Sequence, residues 1–139
     1  MPAHSNIHKG GSRLTLLRAV AAERWQDADV LAEAARLGGA IYLVGYSVEC
    51  LVKCAAGERS GGLYLQEKFE THHLDNLMKH SGLLPDLRKE RVLHTIWDAF
   101  VQCWGPHLRY RTGLFRGRDG RLFFAQITQL YEWLWQRTR

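Results

Sequence analysis

The sequence is poor in proline and cysteine and has no long uninterrupted apolar run. Three prolines among 139 residues exclude a collagen-like repeat. No uninterrupted apolar run approaches the ~20 residues that span a bilayer, and the polar segment 1–12 lacks the apolar core of a signal peptide. Three cysteines are an odd number without a disulfide framework, which indicates a reducing compartment. We therefore expect a cytoplasmic protein with no membrane contact.

The composition is that of a globular protein. Hydrophobic residues make up 46% of the chain and charged residues 24%, which excludes intrinsic disorder. A chain of this length buries ~68% of its unfolded surface, so its fold needs no disulfide, metal or cofactor. We predict one domain over residues 12–139, preceded by a disordered tail over residues 1–11.

The net charge of +5 is concentrated at one end of the sequence. Residues 1–108 hold twelve basic and twelve acidic side chains, whereas residues 109–139 hold seven arginines against Asp119 and Glu132. Because the planar guanidinium group binds phosphate in a bidentate manner, an arginine-only cluster between glycines favours an anion or RNA contact. A solvated loop that keeps the protein soluble is the alternative, and an acidic protein partner is a further one.

Apolar residues recur at helical spacing almost throughout the chain, and no segment alternates with period two. The pattern predicts an all-α protein, an up-and-down four-helix bundle with an additional short helix. The expected caps are Ser12, Thr71 and Asp119. The predicted elements are a helix from Leu14 to the Gly38–Gly39 pair, a helix over Ala40–Ala56, a flexible connection to about Glu70, a short helix over His73–His80, a helix from Pro85 to about Trp104, a loop over Arg109–Gly120, and a last helix through Leu134.

Several short motifs occur in an order typical of a known family. They are Arg24-Trp25-x-Asp27-Ala28, the block from Ala40 through Glu49-Cys50-Leu51 to Lys53, His72-His73-Leu74-x-x-Leu77, Gly82-Leu83, and Arg109-Tyr110 before the closing helix. This order resembles the HEPN (higher eukaryotes and prokaryotes nucleotide-binding) domain family, whose members are small helical bundles. The resemblance covers about residues 14–136.

The resemblance implies a function in RNA or nucleotide chemistry. Many HEPN proteins are metal-independent ribonucleases, often toxins paired with a small nucleotidyltransferase antitoxin or parts of defence systems. Their signature is an arginine followed, after four to six residues, by a histidine, which a homodimer brings together. Others lack this signature and bind RNA or nucleotides. We therefore expect a homodimer, with a nucleotidyltransferase-type protein as a possible partner.

Arg88 and His94 have the family spacing. A histidine can exchange the proton of a ribose 2′-hydroxyl, and an arginine can hold the scissile phosphate, without a metal. Against this, residues six apart in one regular helix lie ~240° around the axis and do not share a face. The alternative is that both are ordinary surface residues.

Arg109, Tyr110 and Arg111 form the stronger local group, with Arg116, Arg118 and Arg121 following. The arginines could clamp phosphate while Tyr110 stacks on a base. The alternative is that Tyr110 packs beneath the loop and Arg109 bonds a helix end or a carboxylate such as Glu49.

Other polar residues fit structural roles. A histidine in the Thr71-His72-His73-Leu74 run is expected to start the short helix or to pack, rather than to catalyse. Cys50 and Cys54 share a helical face, but with no further ligands at a recognisable spacing they are expected to be core thiols. Trp97, Trp104, Trp133 and Trp135 fit a core or a dimer seam better than a stacking platform. The two main hypotheses are a binding module and a ribonuclease.

Overall fold

Six α-helices account for most of the chain in the computed structural model, which describes residues 12–113 and 115–139. They are α1 (Leu14–Glu33), α2 (Leu37–Arg59), α3 (Leu74–Ser81), α4 (Leu84–Lys89), α5 (Arg91–Cys103) and α6 (Gly117–Trp135), with short 3₁₀ turns at Glu67–Phe69 and Pro106–Tyr110. The described residues form no β-sheet, so the all-α prediction is confirmed. The predicted tail over residues 1–11 lies outside the described part.

Helix α2 is the central element, because it contacts α1, α3 and α6. Its side chains are buried on almost every side from Val44 to Ala56. By length and hydropathy alone α2 could cross a membrane, but 72% of its most apolar window is buried inside the protein. A core helix that is covered by its neighbours has this composition.

Small residues of α1 and large apolar residues of α5 and α6 pack around α2. Ala21 and Ala28 are fully buried on α1 and let that helix approach closely. The apolar stripes of α5 and α6 complete the core. Their largest fully buried side chains are Trp97, Phe100, Ile127, Leu130 and Leu134. Trp97, Trp104 and Trp133 are buried within this one chain, so they belong to its core rather than to a dimer seam.

The helix predicted from Pro85 to Trp104 is two helices. Glu90 separates α4 from α5 with a φ of −93° and a ψ of 83°, which lies outside the helical region. The break lets Leu87 of α4 and Ile96 of α5 both enter the core. Tertiary packing outweighs the continuous helical pattern here.

The boundary between the first two helices also differs from the prediction. The Gly38–Gly39 pair lies in the first turn of α2 instead of ending α1. The reversal is made by Ala35, whose φ of 59° is left-handed, and by Arg36, which is non-helical. The Arg36 backbone N–H returns to the Leu31 carbonyl at 2.8 Å and closes the turn.

The segment between α2 and α3 is packed rather than loose. Leu65 and Phe69 are buried, and the Leu65 backbone N–H donates to the Ser12 carbonyl at 2.7 Å. Arg13 and Tyr64 form an isolated antiparallel bridge. The connection therefore fastens the start of α1 to the body of the protein.

None of the three predicted caps is used as expected. The residues that precede α1, α3 and α6 are Arg13, His73 and Arg116, and their side chains form no capping hydrogen bond. Thr71 instead accepts the His73 backbone N–H at 3.2 Å, and it lies two residues before the capping position of α3. Asp119 lies inside the first turn of α6, where its charge favours the helix dipole.

Candidate functional site

A cleft of about 610 Å³ lies between the α1–α2 turn and the segment from Leu108 to Arg121. One wall comes from residues 31–42 and the other from residues about 70 positions later in the sequence. This cleft is called the arginine groove below. Its volume is within the range of small-ligand sites.

The start of the second wall is anchored by Trp104. The indole stacks on Tyr42 and Phe100, and its Nε1 donates to the Tyr42 carbonyl at 3.3 Å. Gly45 makes room for this ring, because a Cβ there would lie 2.1 Å from the indole nitrogen. The stack fixes where the segment leaves α5.

The end of the second wall is anchored by Phe115. Its backbone is left-handed, with a φ of 60°, and its ring packs on Phe123 at 5.4 Å between centroids. A Cβ on Gly120 would lie 2.3 Å from the Phe115 carbonyl oxygen, so only glycine fits there. The contacts of Trp104 and Phe115 therefore fix the backbone on both sides of Arg109 and Arg111.

Five arginines line the groove, and no acidic residue does. They are Arg36, Arg109, Arg111, Arg116 and Arg121. All five are exposed, and in the described part of the chain none forms an ion pair with a carboxylate. The groove is thus a concentration of positive charge without internal neutralisation.

The structure separates the predicted residues into two groups. Four predicted arginines line the groove, whereas Tyr110 and Arg118 are exposed beside it but do not line it. Arg36 was missed, because it lies more than 70 residues before the others in the sequence. An isolated arginine in a turn gives no signal until the fold brings it to the cluster.

Tyr110 does not pack beneath the loop, so that alternative is wrong. Its side chain is 81% exposed, and the Arg109 guanidinium lies 5.4 Å from its ring centroid. Arg109 Nε donates to the Pro106 carbonyl at 3.1 Å, not to Glu49. An exposed ring beside a held guanidinium is free to stack on a base.

Helices α2 and α6 both begin at the groove. Their preceding residues, Arg36 and Arg116, leave the first-turn backbone N–H groups without a side-chain cap. Such free donors and the helix dipole add positive potential to that of the arginines. Below the charged rim lie apolar side chains of Leu31, Leu37 and Tyr42. The groove can therefore take a ligand with both anionic and flat apolar parts.

Arg88 and His94 are not joined in the structure. They lie in different helices, so the single-helix geometry used against the pair does not apply. Arg88 is exposed, and His94 Nε2 lies 3.8 Å from Asp98 Oδ1. Within the described residues no hydrogen bond links the two, and neither lines the groove.

A second polar cluster surrounds Glu49, whose side chain is 1% exposed. Its Oε2 accepts from Lys53 Nζ at 3.3 Å, and its Oε1 lies 2.8 Å from His72 Nδ1. His73 is the residue that precedes α3, as expected of a histidine in this run, whereas His72 is 59% exposed and does not pack in the core. Residues four apart in a helix lie close enough to form an ion pair, but this spacing shows neither the burial of Glu49 nor the contact with His72.

The cysteines of α2 are core thiols. Cys50 and Cys54 are buried, and Cys54 Sγ donates to the Leu14 carbonyl at 3.3 Å. Burial raises the pKa of Cys50 to about 11 and that of Cys54 to about 12. Among the described residues no three His, Cys, Asp or Glu side chains are grouped as metal ligands.

The chain matches no protein-family model, no curated protein sequence and no solved structure. The HEPN resemblance therefore stays a prediction, and function has to be inferred from the residues themselves.

Proposed function

We propose that this protein binds RNA or a nucleotide in the arginine groove. The observation that carries the proposal is the set of five exposed arginines without a single acidic side chain among the groove residues. Guanidinium groups bind phosphate oxygens, and each charge-assisted hydrogen bond contributes about 1.5–3 kcal/mol. The exposed Tyr110 ring and the apolar base of the groove supply surfaces for a nucleobase.

The HEPN resemblance gives this binding site a biological setting. As a HEPN-like bundle, the chain would act as a cytoplasmic homodimer in a toxin–antitoxin or defence system, with a nucleotidyltransferase-type protein as its partner. Sedimentation of the purified protein tests the dimer, and a monomer at micromolar concentration would contradict it.

Fluorescence anisotropy with a labelled single-stranded RNA tests the binding site. Replacing Arg109 and Arg111 together by alanine is expected to weaken binding at least about 100-fold, because two phosphate contacts of at least about 1.5 kcal/mol each are lost. The matched control replaces Lys89 and Arg91, which are also two residues apart, exposed and outside the groove. Equal losses in both variants would show that only net charge matters. Competition by a mononucleotide distinguishes the two ligand classes.

A metal-independent endoribonuclease is the second candidate, with Arg88 and His94 or the 107–111 segment as its site. The motif spacing favours it, and the exposure of Arg88 leaves that side chain accessible. Incubation of the same RNA with the protein and EDTA separates the candidates. Cleavage that is lost in His94→Ala supports the enzyme, whereas binding without cleavage supports the module.

A further inference from the structure

The Glu49 cluster has the geometry of a carboxylate–histidine dyad. A buried carboxylate accepts hydrogen bonds, so the 2.8 Å contact requires the proton of neutral His72 to be on Nδ1. The lone pair is then on Nε2, at the other side of the ring. In the part of the chain that the structure describes, Nε2 has no hydrogen-bond partner, and the side chain is 59% exposed. The dyad thus presents an oriented nucleophilic nitrogen to solvent.

Three features make this arrangement more than a link between α2 and the segment before α3. The carboxylate is 1% exposed, and a buried charge is stable only with good partners. Lys53 provides one partner and adds a positive charge beside the histidine. The hydrogen bond between Glu49 and His72 also leaves Nε2 of His72 free, whereas a purely structural contact would not need a free Nε2.

The open surroundings indicate what kind of reaction the histidine suits. His72 is 59% exposed and does not line the arginine groove, so that cavity does not enclose a substrate around it. A nucleophile on an open surface can accept a group from a donor molecule that is held by another protein, because no pocket around the nucleophile is then needed. The neighbouring Lys53 ammonium favours a group that carries negative charge.

We propose that His72 is a phosphoryl-acceptor site, with Glu49 as its positioning residue. The Nε2 lone pair attacks the phosphorus of a phosphoramidate or acyl phosphate, and a P–N bond to His72 forms. The bond from phosphorus to the leaving group breaks, and its electron pair departs with that group. The Nδ1 proton stays in its hydrogen bond, and the Glu49 carboxylate offsets the positive charge of the ring.

Phosphoramidate alone, added to the full chain, tests the proposal by intact-mass measurement and peptide mapping. We expect one phosphoryl group per chain, located on His72, and loss of the modification in His72→Ala. The matched control is His73→Ala, which removes an adjacent exposed histidine and leaves the dyad intact. In a folded Glu49→Gln variant the rate is expected to fall at least about tenfold. Label spread evenly over the exposed histidines, or an unchanged Glu49→Gln rate, would overturn the proposal.

Long-range ¹H–¹⁵N NMR of the unmodified wild-type protein provides a second test that does not depend on any variant folding. At high pH, neutral His72 is expected in the Nδ1–H form. The Nε2–H form would overturn the assignment, since the nucleophilic nitrogen would then carry a proton.

Discussion

Burial has opposite consequences for three neighbouring groups on α2. Glu49 is buried with its charge, because Lys53 and His72 supply hydrogen bonds to both carboxylate oxygens. Cys50 and Cys54 are buried as neutral thiols, because nothing nearby stabilises a thiolate enough to offset its desolvation. One helix thus carries a carboxylate that is hydrogen-bonded on both oxygens and two cysteines that stay in the unreactive thiol form.

The three cysteines are therefore expected to differ in reactivity. At pH 8, a pKa of about 11 leaves about one Cys50 thiol in a thousand ionised, and burial blocks access as well. Cys103 is exposed. Iodoacetamide at pH 8 should add one group to the folded protein within the time in which all three react in denaturant. Mass spectrometry counts the additions, and two rapid additions to the folded chain would contradict the burial of α2.

The elements differ in how well the sequence predicts them. Helical spacing alone predicts α1, α2 and α6, because their apolar stripes are long and regular. It does not predict the helix ends, because these helices end at residues other than the expected glycine or proline. Ala35 is left-handed where a glycine was expected to end α1, and Glu90 breaks a helix without proline or glycine. The packing of the flanking helices in the core determines both positions, and the conformational preferences of the two residues do not.

Ala35→Gly is expected to stabilise the protein by about 0.5–1 kcal/mol. Left-handed backbone costs an alanine energy that glycine does not incur, and the Ala35 side chain is exposed, so little packing is lost. Urea unfolding measures the change. The adjacent Ala34→Gly is the control: its φ of −84° suits alanine, so that variant should be neutral or less stable. A destabilised Ala35→Gly would show that the turn depends on the methyl group.

The candidate site is predicted only in part for a related reason. The sequence identifies Arg109, Arg111, Arg116 and Arg121, because they form a cluster of positive charges within a short segment. It does not identify Arg36 or the Glu49–His72 contact, since both depend on residues that meet only after folding. It also cannot show that Arg118 is outside the groove, because one turn of helix decides which side chains face inward.

At the scale of the whole molecule, the charge is strongly asymmetric. The excess of basic residues lies after residue 108, and the fold adds Arg36 to it. A field of this kind attracts polyanions over distances longer than a single contact, and salt screens it. The tertiary structure therefore brings five arginines together at the groove, whereas Arg137 and Arg139 line another cavity.

The affinity for single-stranded RNA is expected to fall steeply with salt. If all five groove arginines contact phosphates, the slope of log Kd against log salt concentration is about 3.5. The Arg109→Ala, Arg111→Ala variant should lower the slope by about 1.4, because two contacts are lost. Titrations at several potassium chloride concentrations measure both slopes. A variant slope equal to that of the wild type would place the phosphate contacts elsewhere.

The two walls of the groove come from distant parts of the sequence, and α2 joins them through the core. Unfolded chains keep no such juxtaposition, so whatever occupies the groove recognises the native protein alone. Its occupancy must then raise the midpoint of thermal denaturation, by an amount that grows with concentration over Kd. A melting screen of nucleotides and oligonucleotides could thus identify a ligand of the groove without an activity assay.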